Sequence, residues 1–277
     1  MRWIRNFAIV LILMWVVGAC LKQPEYNTTP EITFSDFYYG FTPASGTKNA
    51  VDSIVLSFNF KDGDGDIGLE TADNNVPPFG ANYYFYMQGG QLYYTYNPNN
   101  TDKGVQYINY HTKKTNPNLT LPDLTQPNSN TYVTLPDLVP PYDCFNWELK
   151  YKTQDKQQIL TDTIYKQENP YNKNMFVDFW VKDNSGFSKF DLSAFNNYPN
   201  CSSQYLFAGR IPILSQDLGK ASPLTGVIHY TILSPTGNLK TFFNGKTLKL
   251  HFYIVDRALN QSTPVDSPEF TLQSISK

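Results

Sequence analysis

The clearest indication of the fold is the segment Ser53–Leu69, with the sequence SIVLSFNFKDGDGDIGL. Alternate residues in its first half are apolar: Ile54, Leu56, Phe58 and Phe60. This period of two, built from aliphatic and aromatic residues, predicts a strand with one buried face. The second half is an acidic turn rich in glycine, which is typical of the end of a strand.

Similar short apolar patterns recur along the chain, and no stretch holds a capped helical stripe with a period of 3.6 residues. The composition agrees, because aromatic residues make up 16% of the chain, with 20 Tyr and 19 Phe. Such a composition favours strands and argues against a helical bundle. The sequence therefore predicts an all-β sandwich. The predicted strands are Glu31–Phe34, Ser53–Phe60, Asn82–Met87, Leu92–Tyr96, Val105–Tyr110, Trp147–Lys152, Gln158–Tyr165, Met175–Val181, Tyr205–Arg210, Gly226–Ile232, Thr247–Val255 and Glu269–Ile275.

The N-terminus has the features of a bacterial export signal. Arg2 and Arg5 precede the apolar run Phe7–Val17, which is too short for a membrane-spanning helix. The following Val-Gly-Ala-Cys resembles the lipobox of bacterial lipoproteins, which implies cleavage before Cys20 and acylation of its thiol and new amino group, as with palmitate. The alternative is an ordinary secretory signal that ends near a cysteine.

The chain divides into a signal, a tether and a folded part. Residues 1–19 form the predicted signal peptide, and the polar, proline-containing residues 20–30 form the tether. Residues 31–277 form the predicted sandwich. An Asn-, Thr- and Pro-rich region near residues 97–130 indicates a long insertion around residues 83–204, or alternatively a second β subdomain.

Charge restricts the classes of partner, and the cysteine content suggests a cellular compartment. Without residues 1–19 the chain carries 20 basic and 24 acidic residues, a net charge of −4, which does not favour nucleic acid as a partner. Acylation of Cys20 would leave Cys144 and Cys201 as a pair in an oxidising compartment, and we expect them to form a disulfide. The loop closed by that bond would contribute roughly 4 kcal/mol in the chain-entropy model. The alternative is two free buried thiols.

The acidic turn after the predicted strand is a candidate metal site. Asp62, Asp64 and Asp66 would bring three like charges together, and a bound cation would convert this repulsion into attraction. Oxygen ligands of this kind suit Ca²⁺. A solvated Asp/Gly turn between strands is the alternative.

The turn resembles an EF-hand loop in spacing only. Counted from Asp62, Glu70 and Asp73 occupy positions 9 and 12. However, Ile67 stands at position 6, where an EF-hand needs glycine, and strands rather than helices flank the turn. We therefore exclude an EF-hand.

A second motif lies near the C-terminus. The pair DGDGDIGL (62–69) and DRALNQS (256–262) resembles a family of uncharacterised Bacteroidota outer-membrane lipoproteins, as does the segment Gly209–Leu214 followed by Gly226-Val227-Ile228. The resemblance implies an Ig-like sandwich in which both motifs lie at the same end. Asp256 would then join the other three aspartates around one ion, or Arg257 would neutralise them. Asp183 occupies a similar turn at a strand end and is a weaker candidate.

The sequence contains no recognisable catalytic motif. Its three histidines, His111, His229 and His251, are isolated from one another, and no nucleophile elbow or phosphate loop is present. We therefore expect a protein that is not an enzyme.

The functional hypothesis rests on the anchor and the sandwich. We expect a lipid-anchored accessory or scaffold lipoprotein of an outer-membrane complex for secretion, gliding, uptake or barrel assembly, with the membrane and an outer-membrane protein as partners. The segment Lys22–Glu25 is a weak surface-export signal, which leaves the face of the membrane open. The alternative is a carbohydrate- or peptide-binding lipoprotein that uses the tyrosines of residues 83–86 and 93–96.

Overall fold

The computed structural model describes residues 25–88, 91–96, 106–107, 120–122, 132–134, 147–154, 157–191, 207–215, 218, 220–234 and 238–277. One α-helix is present in these residues, α1 (Asn238–Phe243), together with two 3₁₀ turns, Thr71–Asn75 and Pro170–Asn172. The strands are β1 (Glu31–Thr42), β2 (Val51–Asp62), β3 (Asn82–Gln88), β4 (Gln91–Thr95), β5 (Gln106–Tyr107), β6 (Thr120–Pro122), β7 (Tyr132–Thr134), β8 (Trp147–Gln154), β9 (Gln157–Glu168), β10 (Met175–Asp183), β11 (Gly186–Lys189), β12 (Leu224–Ser234), β13 (Leu248–Ile254) and β14 (Val265–Asp266).

Two antiparallel sheets form the sandwich. The first has the order β1-β2-β12, and the second has the order β11-β10-β13-β14. Lettered in chain order as A, B, C, C′, E, F and G, these strands give A-B-E in one sheet and C′-C-F-G in the other, which is an immunoglobulin-like arrangement. The predicted all-β, Ig-like sandwich is confirmed.

The core lies between the two sheets and is built from the alternating residues. Ile54, Leu56 and Phe58 of β2 are fully buried, and so are their counterparts on β13. The rings of Phe58 and Phe252 approach to 5.6 Å between centroids across the interface. The fully buried residues of β13 are Leu248, Leu250, Phe252 and Ile254.

A third sheet is inserted between β2 and β10. Its order is β4-β3-β9-β8, with β5 also paired to β3, while β6 and β7 form a separate pair. Asn169 and Asn172 connect the segment that follows β9 to the segment that precedes β3. Their side-chain amides donate to the backbone oxygens of Gly80 and Phe79 at 2.6 and 2.8 Å. An insertion reaching residue 204 would include β10 and β11, but these strands belong to the second sheet of the sandwich. The third sheet itself ends at Glu168.

The structure differs from the predicted strands in places where local alternation fails. β1 continues past Phe34 because a bulge between Phe34 and Asp36 shifts the inward positions by one residue. Among residues 207–210, only Gly209 forms a bridge, to Met175. Residues 272–275 form a turn where a strand was predicted.

The predicted lipidation site and the predicted disulfide lie outside the described residues. Residues 1–24, including Cys20, lie outside the described residues, as do Cys144 and Cys201 and their predicted disulfide. Within the described residues, no helix has both the length and the apolar content to cross a membrane.

Candidate metal centre

The ends of β2 and β13 meet at one end of the sandwich. Asp62 is the last residue of β2 and follows the inward positions of that strand, while Asp256 comes two residues after β13. The structure brings together all four carboxylates named from the sequence. One oxygen from each of Asp62, Asp64, Asp66 and Asp256 lies within 4.8 Å of the other three.

The turn that carries three of these aspartates is partly buried and is fixed against the core. Asp62 and Asp256 are 0% and 2% exposed, and Ile67, just beyond the turn, is completely buried in the core. Gly65 has a φ of +72°, and a Cβ there would lie 2.1 Å from the backbone oxygen of Ser222. Only glycine satisfies both constraints, so the spacing of the motif is a requirement of the fold.

Backbone and amide donors hold part of each buried carboxylate. Asp62 Oδ2 accepts from the backbone N of Asp66 at 3.0 Å, and Asp66 Oδ2 accepts from the backbone N of Ala258 at 3.0 Å. Both oxygens of Asp256 accept from Asn260, at 2.7 Å from its backbone N and 2.9 Å from Nδ2. These bonds fix the orientation of three carboxylates.

The remaining oxygens of the turn have no such donors. The Oδ1 atoms of Asp62, Asp64 and Asp66 are buried and accept no hydrogen bond from the described part of the chain. A buried carboxylate oxygen without a partner is costly, since it loses its hydration and gains nothing in exchange. The arrangement can accept a positively charged ligand.

Burial and mutual repulsion disfavour the charged form of these carboxylates. Burial, followed by the charges of Asp64, Asp66 and Asp256, raises the pKa of Asp62 to about 7. Burial and the same kind of repulsion raise the pKa of Asp66 to about 6, and burial also raises the pKa of Asp256. In the absence of a cation, the cluster therefore favours partial protonation.

Arg257 pairs with Asp73 rather than bonding to the cluster. Its Nη1 and Nη2 donate to the two carboxylate oxygens of Asp73 at 2.8 and 3.1 Å, and its guanidinium lies 5.0 Å from the ring centroid of Phe79. The hydrogen bond from Arg257 lowers the pKa of Asp73. Arg210 adds a contact at 3.9 Å to the same carboxylate. Asp73, at EF-hand position 12 by count, thus belongs to a separate ion pair.

Several residues that support the site were not predicted from the sequence. Asn260 holds Asp256, and Ser262 Oγ accepts from the backbone N of Ile254 at 3.1 Å, so the second motif supplies its own supports. The polar residues following the strand end were the available signal. Asn174 bonds both the backbone N and O of Ile211, at 2.6 and 3.0 Å, and nothing in the sequence indicated that contact.

The other polar candidates lie away from the cluster. Asp183 bonds the backbone N and Oγ of Ser185 at 2.7 and 2.6 Å, in a turn at the opposite end of β10. His251 bonds Asp266 at 2.7 Å on a partly exposed face. His111 lies outside the described residues.

A serine and a histidine form a pair on the outer face of the first sheet. Ser57 Oγ lies 2.7 Å from His229 Nδ1, and Asp36 stands opposite Ser57 on the other neighbouring strand. In a catalytic triad the histidine lies between the acid and the nucleophile. Here the serine occupies the middle, so the row does not have that geometry.

The tyrosines proposed as a ligand surface are largely covered. Tyr83, Tyr84 and Phe85 are buried, so both faces of β3 are packed there. Tyr94 is 42% exposed and packs its ring edge-on against Tyr83 at 5.3 Å. The described residues thus offer a limited stacking surface, and binding of a carbohydrate or peptide stays a prediction.

Comparisons with protein-family models, curated proteins and solved structures find no match to this chain.

Proposed function

We propose that the chain is a lipid-anchored accessory lipoprotein of an outer-membrane protein complex, with a scaffolding rather than a catalytic role. The N-terminal signal and Cys20 supply the anchor, and the Ig-like sandwich with its inserted sheet supplies the binding surfaces. The observation that carries the proposal is the way in which the chain enters the sandwich.

The first described residues pack directly on the acidic turn. The backbone N of Gly63 donates to the backbone oxygen of Asn27 at 2.8 Å, and a Cβ on Gly63 would lie 2.4 Å from the backbone oxygen of Tyr26. Lys61 Nζ lies 5.7 Å from the ring centroid of Tyr26. The tether therefore contacts the folded part from Tyr26 onward, which supports a defined attachment to the sandwich and not a long flexible linker.

This attachment limits the distance from the membrane. Tyr26 is the sixth residue after Cys20, and a fully extended chain spans at most about 3.3–3.6 Å per residue. With Cys20 acylated, the acidic end of the sandwich would lie within roughly 20 Å of the bilayer surface. The far end of the sandwich would then point away from the membrane, where a partner could reach it.

Fatty-acid labelling of the full chain tests the anchor. An alkyne fatty acid is fed to an outer-membrane bacterium that expresses the chain, and the membranes are separated by density. We expect label on the wild type and recovery in the outer membrane, with both lost in Cys20→Ser. The matched variant Gln23→Ser keeps the cysteine and should behave as the wild type. An unlabelled wild-type chain in the soluble fraction would contradict the anchor.

Site-specific photo-crosslinking tests the accessory role in intact cells. A photoreactive residue is placed at Val227 on the first sheet or at Lys189 on the edge of the second; Val227 is 50% exposed, and Lys189 is also exposed. We expect at least one position to crosslink to an integral outer-membrane protein, identified by mass spectrometry of the joined peptides. Failure at both positions in correctly anchored protein would contradict the accessory role.

A further inference from the structure

We propose that Asp62, Asp64, Asp66 and Asp256 bind one calcium ion, which joins the turn after β2 to the turn after β13. The site lies at the end of the sandwich where the tether enters. It is independent of the accessory role, because it is argued only from the geometry of these carboxylates.

An acidic cluster alone does not define a metal site. The decisive observation is that Asp62 is buried with one carboxylate oxygen left without a hydrogen-bond donor in the described part of the chain. Asp62 is 0% exposed, its Oδ2 accepts from the backbone N of Asp66, and its Oδ1 is buried without a donor among the described residues. The Oδ1 atoms of Asp64 and Asp66 share that condition. Three buried oxygens without donors, on carboxylates that converge within 4.8 Å, favour a cation or protons, because neither bulk solvent nor a described donor reaches them.

The number of carboxylates fits calcium better than magnesium. The four oxygens lie within 4.8 Å of one another, which agrees with the span of about 4.6–5.2 Å between opposite ligands of Ca²⁺. Mg²⁺ usually keeps several waters and binds through one or two carboxylates, whereas four are present here. An all-oxygen set of carboxylates favours a hard cation over zinc or copper.

The charges around the cluster also favour a bound cation. The nearest guanidinium in the sequence, that of Arg257, makes two hydrogen bonds to Asp73. Asp256 accepts from the neutral side chain of Asn260, which orients the carboxylate without cancelling its charge. A divalent cation would offset the repulsion and satisfy the three free oxygens together.

Calcium titration of the full chain, purified in detergent and treated with chelator, tests the site. Calorimetry should give one Ca²⁺ per chain, with at least tenfold weaker binding of Mg²⁺. At calcium concentrations about 100-fold above Kd, the melting temperature should rise by about 5–10 °C. Asp64→Asn should weaken calcium binding at least tenfold, whereas Asp183→Asn, in the turn at the opposite end of β10, should titrate as the wild type.

A comparison with and without calcium separates a binding role from a purely structural one. Under chelator, Asp64→Asn should melt at or above the wild-type temperature, because it removes one repelling charge. In calcium it should melt below the wild type. Equal destabilisation in both conditions would overturn the proposal. So would a wild type that shows neither calcium-binding heat nor a melting shift at 10 mM CaCl₂, a concentration about tenfold above the weakest Kd of extracellular calcium modules. If Asp64→Asn does not fold, Asp66→Asn serves the same test.

Discussion

At the scale of single residues, the two acidic motifs have distinct and complementary roles. In the first motif the aspartates converge, Gly65 makes the turn possible and Ile67 fixes it to the core. In the second motif Asp256 joins the cluster and Asn260 orients it. The two motifs are far apart in the chain, and the structure brings their aspartates together.

The pair of Arg257 and Asp73 gives a prediction at this scale. Arg257→Ala would leave the carboxylate of Asp73, which is 5% exposed, without its main partner, and should lower the free energy of unfolding by about 2 kcal/mol. Arg257→Lys restores the charge but not the two-point contact, and should recover about half of the loss. Urea unfolding with calcium present measures both variants. A change below about 0.5 kcal/mol for Arg257→Ala would show that the pair contributes little.

The residue scale also shows where sequence reasoning stops. The four cluster aspartates could be named because each lies at a strand end in a motif. The partner of Arg257 could not, because the path of the 3₁₀ turn Thr71–Asn75 decides whether Asp73 faces the aspartate cluster or the arginine. Two contacts between residues far apart in the chain accompany this pairing, the stacking of Arg257 on Phe79 and the approach of Arg210 to Asp73, and no local pattern encodes them.

At the scale of elements, strands were predicted correctly where apolar and polar residues alternate without interruption. β2 and β13 each alternate over their inward residues and form the centre of the core. Helix α1 was not predicted, because its six residues provide only Leu239 and Phe243 as a buried pair and its N-terminal partner lies far away in the chain. That partner is Asp52 of β2, whose Oδ2 accepts from the backbone N of Lys240 at 2.6 Å.

The cap supplied by Asp52 gives a prediction for this element. Asp52 is fully buried and also receives a long contact, 3.4 Å, from the hydroxyl of Tyr39. Asp52→Ala should cost about 1–3 kcal/mol in the free energy of unfolding, because the backbone donors of α1 lose a buried acceptor. Asp52→Asn keeps one acceptor oxygen and should cost less.

The control for this variant lies next to it. Ser53→Ala changes the adjacent residue on the opposite face of β2, where we expect a change within about 0.5 kcal/mol. Chemical unfolding, monitored by circular dichroism, compares the three variants. Equal effects of Asp52→Ala and Ser53→Ala would refute a capping role.

At the scale of the whole molecule, one end of the sandwich concentrates its distinctive features. The acidic cluster, the docking of Tyr26 and Asn27 and the departure of the inserted sheet all lie at the end where β2 finishes and β10 begins. The opposite end carries the turn between β10 and β11 and the helix α1. An anchor at Cys20 and a calcium ion would therefore act on the same end, the ion by fixing the turns on which the tether rests.

This polarity predicts the orientation of the anchored protein on a membrane. A fluorescent donor is attached through an unnatural amino acid at Glu31, beside the acidic end, or at Asn184, at the far end, both of which are exposed. The acylated protein is bound to vesicles that carry an acceptor lipid. Because β10 rises about 3.3 Å per residue over nine residues, the two labels should differ in height by roughly 30 Å. We expect energy transfer to be strong from Glu31 and weak from Asn184.

Insertion of a flexible Gly/Ser segment of twelve residues between Gln23 and Pro24 should reduce that difference, since it lengthens the short connection between lipid and sandwich. Equal transfer from both positions in the unmodified chain would mean that the tether does not orient the domain.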